Sequence, residues 1–176
     1  MLLRRLLERG DLIDGPWLRS AQAALAFDML AAAFRRCRAD EGTVWLLHDG
    51  ALVPAYNTGP NAAAIVDLFR QPVESGIIGM VAVTEQSFCA NGIADDPMRD
   101  PTLDGTLSVE TQAMMAVPFA FAGSLRGVVS CVQLAGATTS GGFEPADLES
   151  LERDVYVAGR LVNLAVLESV MGLHGS

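Results

Sequence analysis

Lysine is missing from this chain; all 12 basic residues are arginines, set against 21 acids. A net charge of −9 argues against nucleic acid as a partner, because phosphate binding needs basic patches. The absence of lysine beside abundant alanine reads as the codon bias of a GC-rich bacterial genome rather than as chemistry. Histidine is nearly absent, with two residues, and one of them, His174, stands in a Gly-rich tail. Cysteine is scarce and odd in number: Cys37, Cys89 and Cys131, without CxxC spacing. Such a set argues against a disulfide framework and a zinc centre, and reads as reduced thiols in a cytoplasmic protein. No apolar run approaches the ~18–20 residues of a membrane helix. The nearest, Ala23 to Phe34, is interrupted by Asp28. Met1 to Arg9 carries arginines, but Glu8, Asp11 and Asp14 break the apolar stretch that a secretory signal requires. The glycine-rich phosphate loop and the dinucleotide glycine motif are both absent, and there is no internal repeat.

What is present suits one folded domain. The chain has 176 residues, 51% of them apolar and 19% charged. That is enough to bury a core and fits the ~100–200 residues of a single domain. The expected organisation is an N-terminal extension over 1–16, a domain over 17–172 and a tail over 173–176.

Periodicity places the elements. Residues 1–9 read as a short amphipathic turn or helix. Phe27, Leu30, Phe34 and Cys37 step by three and four inside a helix over 17–38. Asp40 to Gly42 reads as a turn, Val44 to His48 as a strand, Asp49-Gly50 as a hairpin turn and Ala51 to Tyr56 as the return strand. Pro54 marks that return strand as an edge. Short helices are expected over 62–70 and 76–85, a brief strand over 87–93 and a polar loop over 94–108. Thr111 to Phe121 and Ser124 to Leu134 are the strongest strands, joined at Ala122-Gly123. A final helix runs from Glu144 to about Met171. Its Leu148, Leu151, Val155, Ala158, Val162 and Ala165 form one apolar seam; Val157, Leu161, Leu164 and Leu167 or Met171 form a second. One seam suits the sheet. The other suits a second copy of the chain, or else the N-terminal helix of the same chain. The expected architecture is α+β: an antiparallel sheet of five to six strands, terminal helices on one face, and short helices and loops forming a pocket on the other.

Three markers in this order resemble the GAF domain family, a small-molecule sensory fold related to PAS domains. The first is Gly76-Ile77-Ile78-Gly79-Met80-Val81-Ala82 followed by Ala94-Asp95-Asp96-Pro97-Met98-Arg99. The second is Met114-Met115-Ala116-Val117-Pro118-Phe119 with Gly127-Val128-Val129. The third is Phe143-Glu144-Pro145-Ala146-Asp147-Leu148. The resemblance covers a core over 43–168. Its departures narrow the function. The Asn-Lys pair of cyclic-nucleotide-binding relatives falls near Leu134-Ala135, which has neither residue. The Cys-His pair that tethers a bilin is absent. The family's enzyme, free methionine-(R)-sulfoxide reductase, needs thiols where this chain has Ile78 and a cysteine-free stretch from Asp95 to Glu110.

The resemblance therefore implies a non-catalytic regulatory module with no cofactor and no bound metal. It implies a small-molecule pocket between the sheet and the middle segment. Candidate polar lining comes from Glu74, Asn91, Asp95, Arg99, Thr111, Gln112 and Gln133, with Trp45 and Met115 as apolar walls. Expected partners are an unidentified small molecule, a second copy of the chain held through the N- and C-terminal helices, and an effector protein. Neither nucleic acid nor a membrane is expected. The alternative is a scaffold or dimerisation element whose pocket is filled by its own side chains.

Overall fold

The computed structural model describes residues 16–137 and 141–171. The tail and, apart from Pro16, the N-terminal extension lie outside the described residues, as does the helix expected over 1–9. A 3₁₀ turn, Pro16–Arg19, leads into α1 (Ala21–Arg36). Ser20 separates the two where one continuous helix is expected. Its hydroxyl accepts the Ala23 N–H at 3.1 Å, so α1 starts at a side-chain cap. Next come β1 (Glu41–His48), β2 (Ala51–Asn57), α2 (Ala62–Ile65), β3 (Gln71–Pro72), α3 (Gly76–Thr84) and β4 (Phe88–Asn91). A 3₁₀ turn at Ile93–Asp95 precedes α4 (Thr102–Leu107), then β5 (Thr111–Phe121), β6 (Ser124–Leu134) and α5 (Pro145–Met171).

The six strands form one antiparallel sheet in the order β3-β2-β1-β6-β5-β4. The fold is α+β with the expected layers. Both hairpin turns use left-handed backbone: Asp49 and Gly50 have φ of 48° and 75°, and Ala122 and Gly123 have 52° and 84°. Positive φ at both central residues matches the twist of the flanking strands. β1 begins earlier than its apolar run suggests, because Glu41 and Gly42 already pair with Val132 and Cys131 of β6. The residue pattern 62–70 yields only one helical turn, and Asp67 beyond it has a φ of 61°. α4 arises inside the stretch expected to be loop, where Thr102 and Gly105 are weak helix formers.

Burial alternates along the strands with period two. Val44, Leu46, Val53, Met115, Val117, Phe119, Val129 and Cys131 face α1 and α5. Trp45, Leu52, Ala116 and Val128 face α3 on the other side. The two terminal helices run antiparallel across the first face: Gln22 Nε2 donates to Glu168 Oε1 at 2.8 Å, and Arg36 pairs with Asp154. α5 begins at Pro145, whose missing N–H costs nothing there. Asp147 accepts the Glu144 N–H at 2.9 Å, and Phe143 before it is buried in the same core as Leu151. Of the two seams on α5, Leu151, Val155, Ala158, Val162 and Ala165 are buried. Val157, Leu164, Leu167 and Met171 remain exposed, and α1 does not cover them.

α5 sits close on β5 because Gly159 has no side chain. A Cβ there would lie 2.5 Å from the Ala120 carbonyl oxygen. Four residues on, Asn163 accepts the Ala122 N–H at 2.5 Å and ties the helix to the β5–β6 turn. Gly159→Ala should destabilise the fold by about 1–2 kcal/mol, since the clash with rigid backbone outweighs the ~1 kcal/mol gain in helix propensity. Gly105→Ala on α4 meets nothing within 4 Å and should instead be neutral or stabilising by up to about 1 kcal/mol. Denaturant unfolding of both variants checks the contrast.

Candidate functional site

The second face of the sheet is only partly covered. α3 lies over Trp45, Ala116 and Val128, while α2, α4 and the 3₁₀ turn at Ile93 close the remaining edge. A cavity of about 70 Å³ lies between them, bounded by Ile65, Ile77, Ile78, Ile93, Leu103, Leu107 and Val109 above the sheet. One ordered water needs ~10–15 Å³ on this measure, so there is room for several waters or one small organic molecule. The sheet supplies the floor. Glu41, Thr43 and Trp45 project from alternate positions of β1; Ser130, Val132 and Leu134 do so from β6.

The polar groups of the floor are buried and largely engaged. Trp45 Nε1 donates to Ser130 Oγ at 2.9 Å. Asn57 Nδ2 donates to Thr43 Oγ1 at 2.8 Å, and Asn57 Oδ1 accepts the Gly59 N–H at 2.6 Å. Gly59 closes over the Glu41 carboxyl so tightly that a Cβ there would fall 2.2 Å from Glu41 Cδ. Burial pushes the Glu41 carboxyl above the ordinary glutamate range. A hydrogen bond from Asn57 opposes the rise, while the acidic neighbours Asp104 and Asp40 add to it.

The rim is built from the Asp-Pro loop and α4. Arg99 pairs with Asp104 and donates from Nη1 to the Ala94 carbonyl at 2.9 Å. Asp104 also accepts the Thr111 N–H at 2.6 Å and the Thr111 hydroxyl at 3.0 Å, which fixes the start of β5. Asp100 accepts from Ser75 Oγ at 2.5 Å and from Thr102, and these bonds hold its carboxyl below the usual aspartate value. Gln71 Nε2 donates to the Ser75 carbonyl at 2.9 Å. Gly76 leaves room for this cluster: its φ is 72°, and a Cβ would meet Gln71 Nε2 at 2.5 Å. Asp96 accepts the Met98 N–H at 2.8 Å, the local turn expected of the Asp-Asp-Pro element.

Of the nine residues read as pocket lining, the cavity brings together Trp45, Arg99 and Thr111. The others lie elsewhere. Glu74 borders a separate surface depression beside Gly79 and Met98. Asp95 belongs to the 3₁₀ turn without lining the cavity, and Gln112 is exposed. Asn91 and Gln133 are on the helix side, where Asn91 bonds both the Phe143 N–H and carbonyl and Gln133 accepts the Gly142 N–H at 2.9 Å. Met115 is fully buried against the helices, and its neighbour Met114 lines the cavity. A register shift between Thr111 and Ala113 is the cause: it puts Thr111 and Met114 on one face although they are three residues apart. Glu41, Thr43, Asn57, Gln71, Ser130, Asp100 and Asp104 were not among the candidates. The signal for the first two was their even spacing, four and two residues, ahead of Trp45 on the same strand face.

No thiol reaches this cavity among the described residues. Cys37 and Cys131 are buried and Cys89 half-buried, all on the helix side. Burial pushes all three thiols above the ordinary cysteine value, and Asp147 adds to the rise in each. Nor do the described residues contain a group of three or more His, Cys, Asp or Glu able to hold a metal. No described helix is long and apolar enough to cross a membrane.

The GAF domain model matches residues 23–156, more than half of the chain. The chain belongs to the GAF domain family. GAF domains are a sensory and regulatory family and are mostly non-catalytic. Solved structures agree on the fold. The GAF domain/HD domain protein of Geobacter sulfurreducens is 14% identical with a TM-score of 0.67, over 84% of this chain and 95% of that one. The GAF domain of a phosphoenolpyruvate-protein phosphotransferase from Coxiella burnetii is 20% identical with a TM-score of 0.66, over 98% and 95%. A type II free methionine-R-sulfoxide reductase from Thermoplasma acidophilum is 15% identical with a TM-score of 0.60, over 82% and 96%. No curated protein matches the chain in sequence.

The raised Glu41 carboxyl has a consequence for stability. Below the unfolded value near pH 4.5 both states hold the proton. As pH rises past that value, the unfolded chain ionises while the folded one resists, so stability falls. Glu41→Gln should therefore be more stable than the parent at pH 7, with the gap closing towards pH 4. Urea unfolding at the two pH values measures it; equal gaps at both would contradict it.

Proposed function

We propose that this GAF domain is a non-catalytic regulatory module that binds a small molecule in the cavity over Glu41, Thr43 and Trp45. The observation that carries this reading is the convergence of buried polar groups from β1, β2 and β6 on one partly open cavity with apolar walls, the usual composition of a ligand site. A scaffold filled by its own side chains would close that space with apolar groups alone. The thiol positions support a binding role over sulfoxide reduction. A nucleophilic cysteine needs a depressed pKa and access to substrate; burial raises the pKa of Cys37, Cys89 and Cys131, and Cys37 and Cys131 are also shut off from solvent.

The module works as a dimer and passes its signal to a partner protein. Support for the dimer is the exposed stripe Val157, Leu164, Leu167 and Met171, spaced by seven, three and four along α5. A second copy of α5 offers a matching stripe by symmetry.

A thermal-shift screen of small metabolites tests the binding role. A ligand at 100 times its Kd should add ~2.7 kcal/mol of stability, whereas a scaffold would respond to none. Light scattering at tens of micromolar should show a dimer, and Leu164→Glu should convert it to monomer without loss of fold. Assays with free methionine sulfoxide and a dithiol reductant should give no turnover above the blank.

A further inference from the structure

The charges around the cavity do not balance. Glu41 is 8% exposed, and the charged groups that act on it are Asp104 and Asp40, both acids. Among the described residues Arg99 is the one arginine on the cavity wall, and it is committed to Asp104 and the Ala94 carbonyl. Asp100, also on the wall, is held ionised by Ser75 and Thr102. On the sheet, Glu41 lies in one cross-strand row with Val132 and Met114, which offer it no hydrogen bond. Asn57 is the polar side chain that relieves it. A carboxylate this buried is ordinarily paired with a cation, and here the protein supplies none among the described residues.

The missing charge is one that a ligand brings. An anionic ligand would face Glu41 and Asp100 with no free base. A divalent metal ion would need about six converging oxygen ligands, and the described residues hold no group of three or more His, Cys, Asp or Glu placed to bind one, while half of the wall is isoleucine, leucine, valine and methionine. An ammonium group on an apolar body answers both halves of the lining.

We propose that the cavity binds a small organic ammonium ion, with its N–H groups on Glu41 and its apolar body against Ile78, Met114 and Val132. This assignment rests on the small-molecule reading above and names its ligand class. Gly59 and Asn57 hold the carboxyl in place, and Thr43 offers the ammonium a further acceptor.

Benzylamine, benzyl alcohol and benzoate share one ring and differ in charge. Their binding to the full chain is measured by titration calorimetry at pH 7 and about 0.15 M salt, where surface attraction is screened beyond ~8 Å. Benzylamine should bind about tenfold or more tighter than benzyl alcohol, with benzoate weakest. Glu41→Gln should bring benzylamine to within about threefold of benzyl alcohol. Gly59→Ala, which displaces the carboxyl but keeps its charge, should do the same and serves if the first variant fails to fold.

Equal or better binding of benzyl alcohol or benzoate overturns the ammonium assignment and leaves the small-molecule reading standing. Retention of the benzylamine preference in both variants also overturns it, because the cation would then sit on another acid. If none of the three binds, the metabolite screen decides. A cationic ligand lost in Glu41→Gln supports the proposal, a neutral or anionic ligand overturns it alone, and no ligand overturns both readings.

Discussion

The register of β1 against β6 decides which side of the sheet every residue serves. Glu41 opposite Val132 and Thr43 opposite Ser130 put four cavity residues in two adjoining rows. The same pairing sends Val44, Leu46, Val129 and Cys131 to the helix layer. A slip of one residue would exchange the two sets, burying Glu41 under α1 and α5 and opening the core to the cavity. Two apolar faces with different neighbours thus fix the register more strongly than either face alone. The hairpin turns at Asp49-Gly50 and Ala122-Gly123 reinforce it from the ends.

The two faces are built to different standards. The helix face is closed by apolar side chains, with Phe34, Leu46, Phe119, Phe121 and Leu151 among its largest buried ones. The cavity face trades apolar packing for buried polar groups. Thr43, Asn57, Gln71, Thr111 and Ser130 are all under a tenth exposed there, and each costs desolvation that its hydrogen bonds only offset.

The fold was legible in the sequence because its signals are local. Alternation in 111–121 and 124–134, the Asp-Gly turn and the two-seamed last helix each specify an element without reference to the rest. The GAF markers add order, and the Gly76 and Phe143 positions behave as the chemistry of those residues requires. The site was legible only in part. Trp45, Arg99 and Thr111 line the cavity, but Met115 and Gln133 lie on the helix side, because the bulge after Thr111 shifts the parity of β5 and Gln133 falls at an odd position of β6. A bulge leaves no periodic trace in a single sequence. Glu41 was hidden differently: Glu-Gly ahead of an apolar run reads as a turn, and only pairing with β6 draws it into the strand. α4 was hidden by its composition, since Thr102, Asp104 and Gly105 carry weak local helix preference and are ordered by contacts from Asp100, Arg99 and Thr111.

The antiparallel pairing of α1 with α5 brings Gln22 beside Glu168, so the outer ends of the first and last described helices lie together. Asn163 and Gly159 meanwhile fasten α5 to the β5–β6 hairpin, whose other face borders the cavity. Rotation of α5 about its own axis would drive backbone into backbone at Ala120. The helix and the hairpin are therefore held together at two points one helical turn apart. The start of the first helix and the end of the last thus share one corner of the molecule, on the side of the sheet away from the cavity.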